Sequence, residues 1–179
     1  MFAQLRYKLA CFLLNRRTTP RLRRVLGYAD AKSVLLLIEV EKPKDIELVN
    51  SFAGTLKQKY NITQVVKIAY VRQKKMLKED LPFDFVFTAK DARFFSGLPN
   101  KEVMRLVNNL KIDIVIDFTD DRAHFIKGVL AKVPAHFKVA KQQLAWKTLY
   151  DFFIELPAKS PKESLVEPLH HYLSLIHEK

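Results

Sequence analysis

Glycine is scarce in this chain: Gly27, Gly54, Gly97 and Gly128 are the four it has in 179 residues. A loop that cradles phosphate needs glycine so that backbone N–H groups can close on the anion. None of the four follows the first strand pattern, where Val40-Glu41-Lys42-Pro43 places an acid and a proline instead. Nucleotide binding in the usual manner is therefore not expected, nor is any cofactor. Cysteine is scarcer still. Cys11 stands alone, so no internal disulfide can form and a reduced cytosol is the simpler setting. Between Ala10 and Phe12 it reads as an inert packing thiol. Long apolar runs are missing too, and without about eighteen consecutive apolar residues no spanning helix is expected.

Acidic residues are absent from Met1 to Ala29, and this absence has the largest consequence. From Met1 to Lys32 eight basic residues (Arg6, Lys8, Arg16, Arg17, Arg21, Arg23, Arg24 and Lys32) face the single acid Asp30, which leaves +7 of the total +12. The other 147 residues carry only +5. Such an arm attracts polyanions through fields that salt screens. Its apolar stretch LACFLL is too short for an export signal and runs into Asn15-Arg16-Arg17. The box Lys8-Leu9-Ala10-Cys11 has a lysine where a lipoprotein signal wants an aliphatic residue.

What is present in the arm is an amphipathic helix, with Phe2, Leu5, Leu9, Phe12 and Leu13 at helical spacing. Four readings stay open: a stripe packed on the domain, a membrane-surface helix, an RNA-binding arm whose arginines meet phosphates, and an Arg-rich transit peptide. The chain divides accordingly into a basic amphipathic helix and arm, residues 1–32, and a Rossmann-like domain, residues 33–179.

From Ser33 onward, short β-branched or aliphatic runs alternate with segments of helical period, the pattern of an α/β fold. Strands are predicted at Ser33–Val40, Thr63–Val71, Asp84–Phe87, Ile112–Phe118, Ala135–Val139 and Asp151–Leu156. Several are apolar throughout, as in a parallel sheet covered on both faces. Helices are predicted from Pro43 to Tyr60, Pro99 to Leu110 and Asp121 to Lys132. A last one starts at Ser160-Pro161-Lys162-Glu163, read as a capping box, and Pro168 either kinks it or restarts it. Right-handed crossovers make this a single doubly wound, mostly parallel sheet of about six strands, ordered 3-2-1-4-5-6.

Ligands in such folds bind where the order reverses, here beside Glu39–Lys42 and Asp117–Asp121. Asp117 and Asp120 are the acids to name there, with Lys90 or Lys42 as an anion contact. The alternative for the acids is that Asp120 or Asp121 caps the next helix and Asp117 ends its strand in solvent. His124, His136, His170 and His177 lack metal-ligand spacing, and no metal is expected. Trp146 and Tyr150 suit a stacking platform for bases, or a packed cap that fills the mouth of the sheet.

Tyr70-Val71-Arg72-Gln73-Lys74, Leu81-Pro82-Phe83-Asp84, Lys90-Asp91 with Phe95 and Gly97, and Ile112-Asp113-Ile114-Val115-Ile116-Asp117 come in an order that resembles an uncharacterised bacterial family. Its members are small proteins common in Bacteroidota, known as a domain of unknown function. The resemblance runs from about Ser33 to the C-terminus and implies no activity. The fourth-strand block, continuing through Ala131 to Val139, is also similar to the acceptor-side domain of heptosyltransferase-type glycosyltransferases. Those enzymes have a glycine-rich turn with a catalytic Asp after the first strand, and a second Rossmann-like domain. This chain has Glu39-Val40-Glu41-Lys42 at the first place, so the resemblance supports the fold and argues against the reaction.

The expected function is a non-enzymatic interaction or adaptor domain, with Arg6, Lys8, Arg16, Arg17, Arg21, Arg23 and Arg24 docking on an anionic partner. RNA or a ribonucleoprotein stands slightly ahead of a membrane surface, and another protein is a further partner. The expected location is cytoplasmic, at most peripheral to the inner membrane. The alternative is a small ligand-binding or degenerate glycosyltransferase-like domain using Asp117, Asp120 and Lys90.

Overall fold

In this computed structural model, residues 2–15, 20–73, 76, 81–157 and 159–177 are described. The core is a six-stranded sheet in the order β3-β2-β1-β4-β5-β6, with every neighbouring pair parallel. The strands are β1 (Ser33–Val40), β2 (Gln64–Val71), β3 (Phe85–Thr88), β4 (Ile114–Asp117), β5 (Phe137–Lys141) and β6 (Phe152–Ile154). All eight residues of β1 are buried, because the strand lies at the centre and both of its faces are covered.

Alternation along the strands sends side chains to two cores. Leu35, Leu37, Val66, Ile68, Val115 and Ala140 face a layer built from α1 (Phe2–Asn15), α3 (Lys101–Asn108), α4 (His124–Lys132) and a 3₁₀ segment, Leu144–Leu149. Val34, Leu36, Ile38, Ala69, Ile116 and Val139 face the other layer, α2 (Pro43–Tyr60) and α5 (Val166–Leu175). Pro43 opens α2 at its first turn, where its missing N–H costs nothing.

Three local expectations are corrected. Ser160 does not cap a helix: its hydroxyl donates to the Pro157 carbonyl, and the chain makes a 3₁₀ turn, Lys162–Leu165, before α5. Pro168 then falls in the first turn of α5, so the helix restarts and does not kink. Neither Asp120 nor Asp121 caps α4, whose N-terminal flanking residue is Ala123 without a side-chain cap.

The N-terminal helix packs on the body. Ala10 and Leu14 are buried, with Tyr7, Cys11 and Leu13 beside them. After it a strap, residues 20–31, crosses the amino ends of the strands and buries Leu26, Tyr28 and Ala31 in the second core.

Candidate functional site

The strand order reverses between β1 and β4, so the fold's ligand crevice lies beyond their carboxyl ends. On the β1 side the chain turns into α2, whose N-terminus is where phosphate would sit. Asp45, in the first turn of α2 and wholly buried, occupies that position. The backbone N–H groups of Glu41 and Lys42 donate to its Oδ2 at 2.8 and 3.0 Å. The Lys162 ammonium lies 3.3 Å from the same oxygen and donates to the Glu39 carbonyl at 2.7 Å. A carboxylate of the chain itself thus takes up the loop N–H groups and the ammonium that lead into the helix, and places its own negative charge at that end. Next to it Glu39 is buried, with Arg72 at 2.7 Å. Burial pushes the Glu39 carboxyl up, against the pull of that guanidinium.

On the β4 side Asp117 is fully buried and paired with Lys127 of α4, at 2.8 Å and also fully buried. The expectation that Asp117 ends its strand in solvent is therefore wrong. Lys127 Nζ donates to Asp117 Oδ2, to Thr119 Oγ1 at 2.9 Å and to the Tyr150 hydroxyl at 2.8 Å, so its three protons have three acceptors. Tyr150 donates to Asp117 Oδ2 at 2.5 Å, and the Thr119 hydroxyl and backbone N–H donate to Oδ1 at 2.6 and 2.8 Å. Burial drives Tyr150 well above its ordinary value, with the Asp117 charge adding to it. It lowers Lys127, against the pull of Asp117. The network closes on itself.

Above the cluster, Gln143 donates to the Thr119 carbonyl and the Trp146 indole donates to the Asp121 carbonyl at 2.9 Å. Tyr7 of α1 sets its ring edge-on against both His124 and Trp146, 5.4 and 6.0 Å between centroids. Trp146 and Tyr150 are buried, and these side chains fill the space that a ligand would need.

Of the four switch-point residues named from sequence, Asp117, Asp120 and Lys90 do not converge, and Lys42 pairs with Glu163 at 3.5 Å. Asp120 is exposed in the β4–α4 loop. Lys90 is exposed on the 3₁₀ turn Ala89–Asp91 after the edge strand β3. That strand is three places from β4, about 14 Å at the usual spacing. Reading the sequence missed Lys127, and it met Thr119 only as part of the stretch Asp117–Asp121. The one available signal for Lys127 was a cation inside the apolar run Phe125-Ile126-Lys127-Gly128-Val129-Leu130.

The arm residues divide sharply. Arg16 and Arg17, and the side chain of Arg6, lie outside the described residues. Lys8 is exposed on α1. Arg21 is taken up by the fold: it pairs with Asp151 at 2.6 Å and donates to the carbonyls of Ala135 and His136. Arg23 lies 3.5 Å from Asp151 and is 60% exposed. Arg24 is exposed, and its backbone N–H donates to the His136 carbonyl. On α1 the face opposite Ala10 and Leu14 carries Leu5, Leu9 and Phe12, exposed by 65%, 38% and 52%, with Lys8 among them.

A family model matches residues 6–176, nearly the whole chain. The chain belongs to a family of unknown function, DUF6913. The match takes in most of the N-terminal helix, which the resemblance read from sequence had left out. No curated protein matches the chain. Among solved structures it is similar to a glycosyl transferase of family 9 from Veillonella parvula, at 19% identity and a TM-score of 0.57, over 84% of this chain and 43% of that one. It is also similar to a mutant O-GlcNAc transferase of Thermobaculum terrenum, at 14% identity and a TM-score of 0.46, over 92% of this chain and 32% of that one. The chain spans less than half the length of either structure. The first likeness shows the Rossmann-like fold.

Proposed function

We propose that this chain is a non-enzymatic docking domain that settles on an anionic membrane surface through the outer face of α1. The observation that supports this reading is the exposure of Leu5, Leu9 and Phe12 together, on the face turned away from the core, with Lys8 between them. Fully burying one such side chain is worth about 1.5–3 kcal/mol, so three partly inserted ones contribute roughly 3–5 kcal/mol. Each Lys or Arg near an anionic leaflet adds about 1 kcal/mol. RNA loses ground as the partner because Arg21, one of the arginines meant for phosphate, is held by Asp151. The exposed apolar face has no role on a phosphate backbone. A transferase-like reaction at the switch point is disfavoured by Asp45 and the Asp117–Lys127 pair, which occupy the crevice. The setting this reading calls for is the cytoplasmic face of a bacterial inner membrane, in a member of the Bacteroidota.

Vesicle flotation tests it. With vesicles of phosphatidylglycerol and phosphatidylcholine in equal parts, the protein is expected to float, and with pure phosphatidylcholine to stay down. L5S/L9S/F12S, checked for native circular dichroism, is expected to lose at least nine-tenths of the floated fraction. Equal flotation by that variant, or none by the parent, overturns the reading. Salt-sensitive binding of mixed RNA by parent and variant alike, without flotation, would put RNA in the membrane's place.

A further inference from the structure

The amino end of the sheet carries a second feature that the docking face does not use. A pocket of about 230 Å³ opens between the strap, the end of α4 and the Leu144–Leu149 segment, lined by Pro20, Arg21, Arg23, Ala131, Lys138, Thr148 and Leu149. Three of these seven residues are cationic. The Asp151 carboxylate, which pairs with both arginines, is the acid beside them. One acid against three cations leaves a local charge of about +2 with Lys138 protonated.

Lys138 is the unusual member. It is 3% exposed, and its ammonium donates to the Leu130 carbonyl. That bond uses one of its three N–H directions. A buried ammonium with donors to spare at the wall of a pocket is costly unless an anion supplies the missing partners. Arg23, mostly exposed and held only loosely at 3.5 Å from Asp151, lines the same pocket. Arg21 is fixed in place by two carbonyls and Asp151 and so supplies charge without having to reorganise.

We infer that this pocket binds a dianionic phosphate group, with Lys138 and Arg23 as its direct ligands and Arg21 as a fixed positive charge behind them. The dianion matches the local charge, and a guanidinium with an ammonium is a common pairing for phosphate oxygens. The volume leaves room for a small organic substituent beyond the phosphate, since a water's share of liquid is about 30 Å³. The inference stands without the membrane reading. The phosphate could belong to a soluble monoester or to a lipid headgroup.

The pocket has a built-in pH dependence. Burial, reinforced by Arg21 and Arg23 and opposed by Asp151, brings Lys138 down to about 7. From α4 the facing group is the neutral Leu130 carbonyl. A bound dianion favours the ammonium, so binding takes up a proton once the pH passes 7.

The test is isothermal titration of the full chain with sulfate, a dianion that does not itself titrate between pH 6 and 9, and with glycerol phosphate. Sulfate affinity is expected to fall several-fold from pH 6.5 to 8.5. K138M is expected to lose binding at least tenfold and to remove the pH dependence, and R23Q to weaken it several-fold. R23Q changes an exposed side chain and so keeps the test valid if K138M does not fold. Arg72→Gln, outside the pocket, serves as the control and should change nothing. Equal binding by R23Q and parent, or an adventitious ion only, with affinity that ignores pH and both substitutions, overturns the inference. To separate the two sources, phosphatidic acid vesicles are compared with glycerol phosphate in the L5S/L9S/F12S background. Retained glycerol phosphate binding with lost flotation supports the pocket and leaves the α1 face as a separate matter.

Discussion

Lys127 and Lys138 are both buried lysines, yet they make opposite predictions. Lys127 has an acceptor for every proton and a carboxylate 2.8 Å away, so removing it strands Asp117 as a buried charge. Breaking such a pair costs about 3–5 kcal/mol. K127M is therefore expected to lower Tm by roughly 10 °C, on the usual 2–4 °C per kcal/mol for a domain of this size. D117N/K127M, which strands no charge, should recover much of that loss in the same thermal melt. Lys138 sits low in the native chain, at about 7, and at its ordinary higher value in the unfolded one. Above pH 7 the native chain has released a proton that the unfolded chain still holds, so stability rises with pH until the unfolded lysine also titrates. Urea unfolding without added anions should give a higher midpoint at pH 9 than at pH 7. K138M should flatten that rise, and a midpoint in the parent that falls or stays level would contradict the assignment. Neither lysine's role was legible in the sequence. Lys127 finds Tyr150 twenty-three positions away, and the Lys138 pocket depends on the strap returning under the sheet.

Elements were easier to read than their ends. β1 matches its predicted bounds because the unbroken apolar run Val34–Ile38, closed by Val40, lies between the polar Lys32 and Glu41. Periodicity set α2 in the same way, and the right-handed crossover rule set the sheet order. Where capping chemistry decided a boundary, local signals misled: Ser160 turned back to Pro157, and α4 begins after Ala123 with no cap from the acids before it. Spacing also placed Leu5, Leu9 and Phe12 on one stripe without showing that Ala10 and Leu14, opposite, would be the buried pair. The strap depends on a close approach. A Cβ on Gly27 would stand 1.9 Å from the Ile176 carbonyl oxygen and 2.7 Å from that of Leu173, both backbone atoms at the end of α5. Gly27→Ala should therefore break the Tyr28 N–H bond to Leu173 and cost at least 1–3 kcal/mol, read as a lower urea midpoint. Gly54, in α2 with nothing within 4 Å, gives the contrast. Its change to Ala should raise stability by about 0.5–1 kcal/mol, read as a higher urea midpoint.

At the scale of the molecule, the crevice that doubly wound sheets use for ligands is filled by the chain's own side chains, and the apolar surface left over lies elsewhere. One such place is the outer face of α1. Another is the turn after β3, where Phe94 and Phe95 are each 79% exposed, edge to face, between Arg93 and Ser96. That turn leads into α3, in the same layer as α1, so F94S/F95S should lower the floated fraction further in the flotation assay. The most direct measurement is hydrogen exchange along the full chain with and without phosphatidylglycerol vesicles. The account predicts slowed exchange across Phe2–Asn15, with the β1–α2 and β4–α4 loops unchanged. Unchanged exchange in α1, or protection gained at those two loops instead, would contradict it.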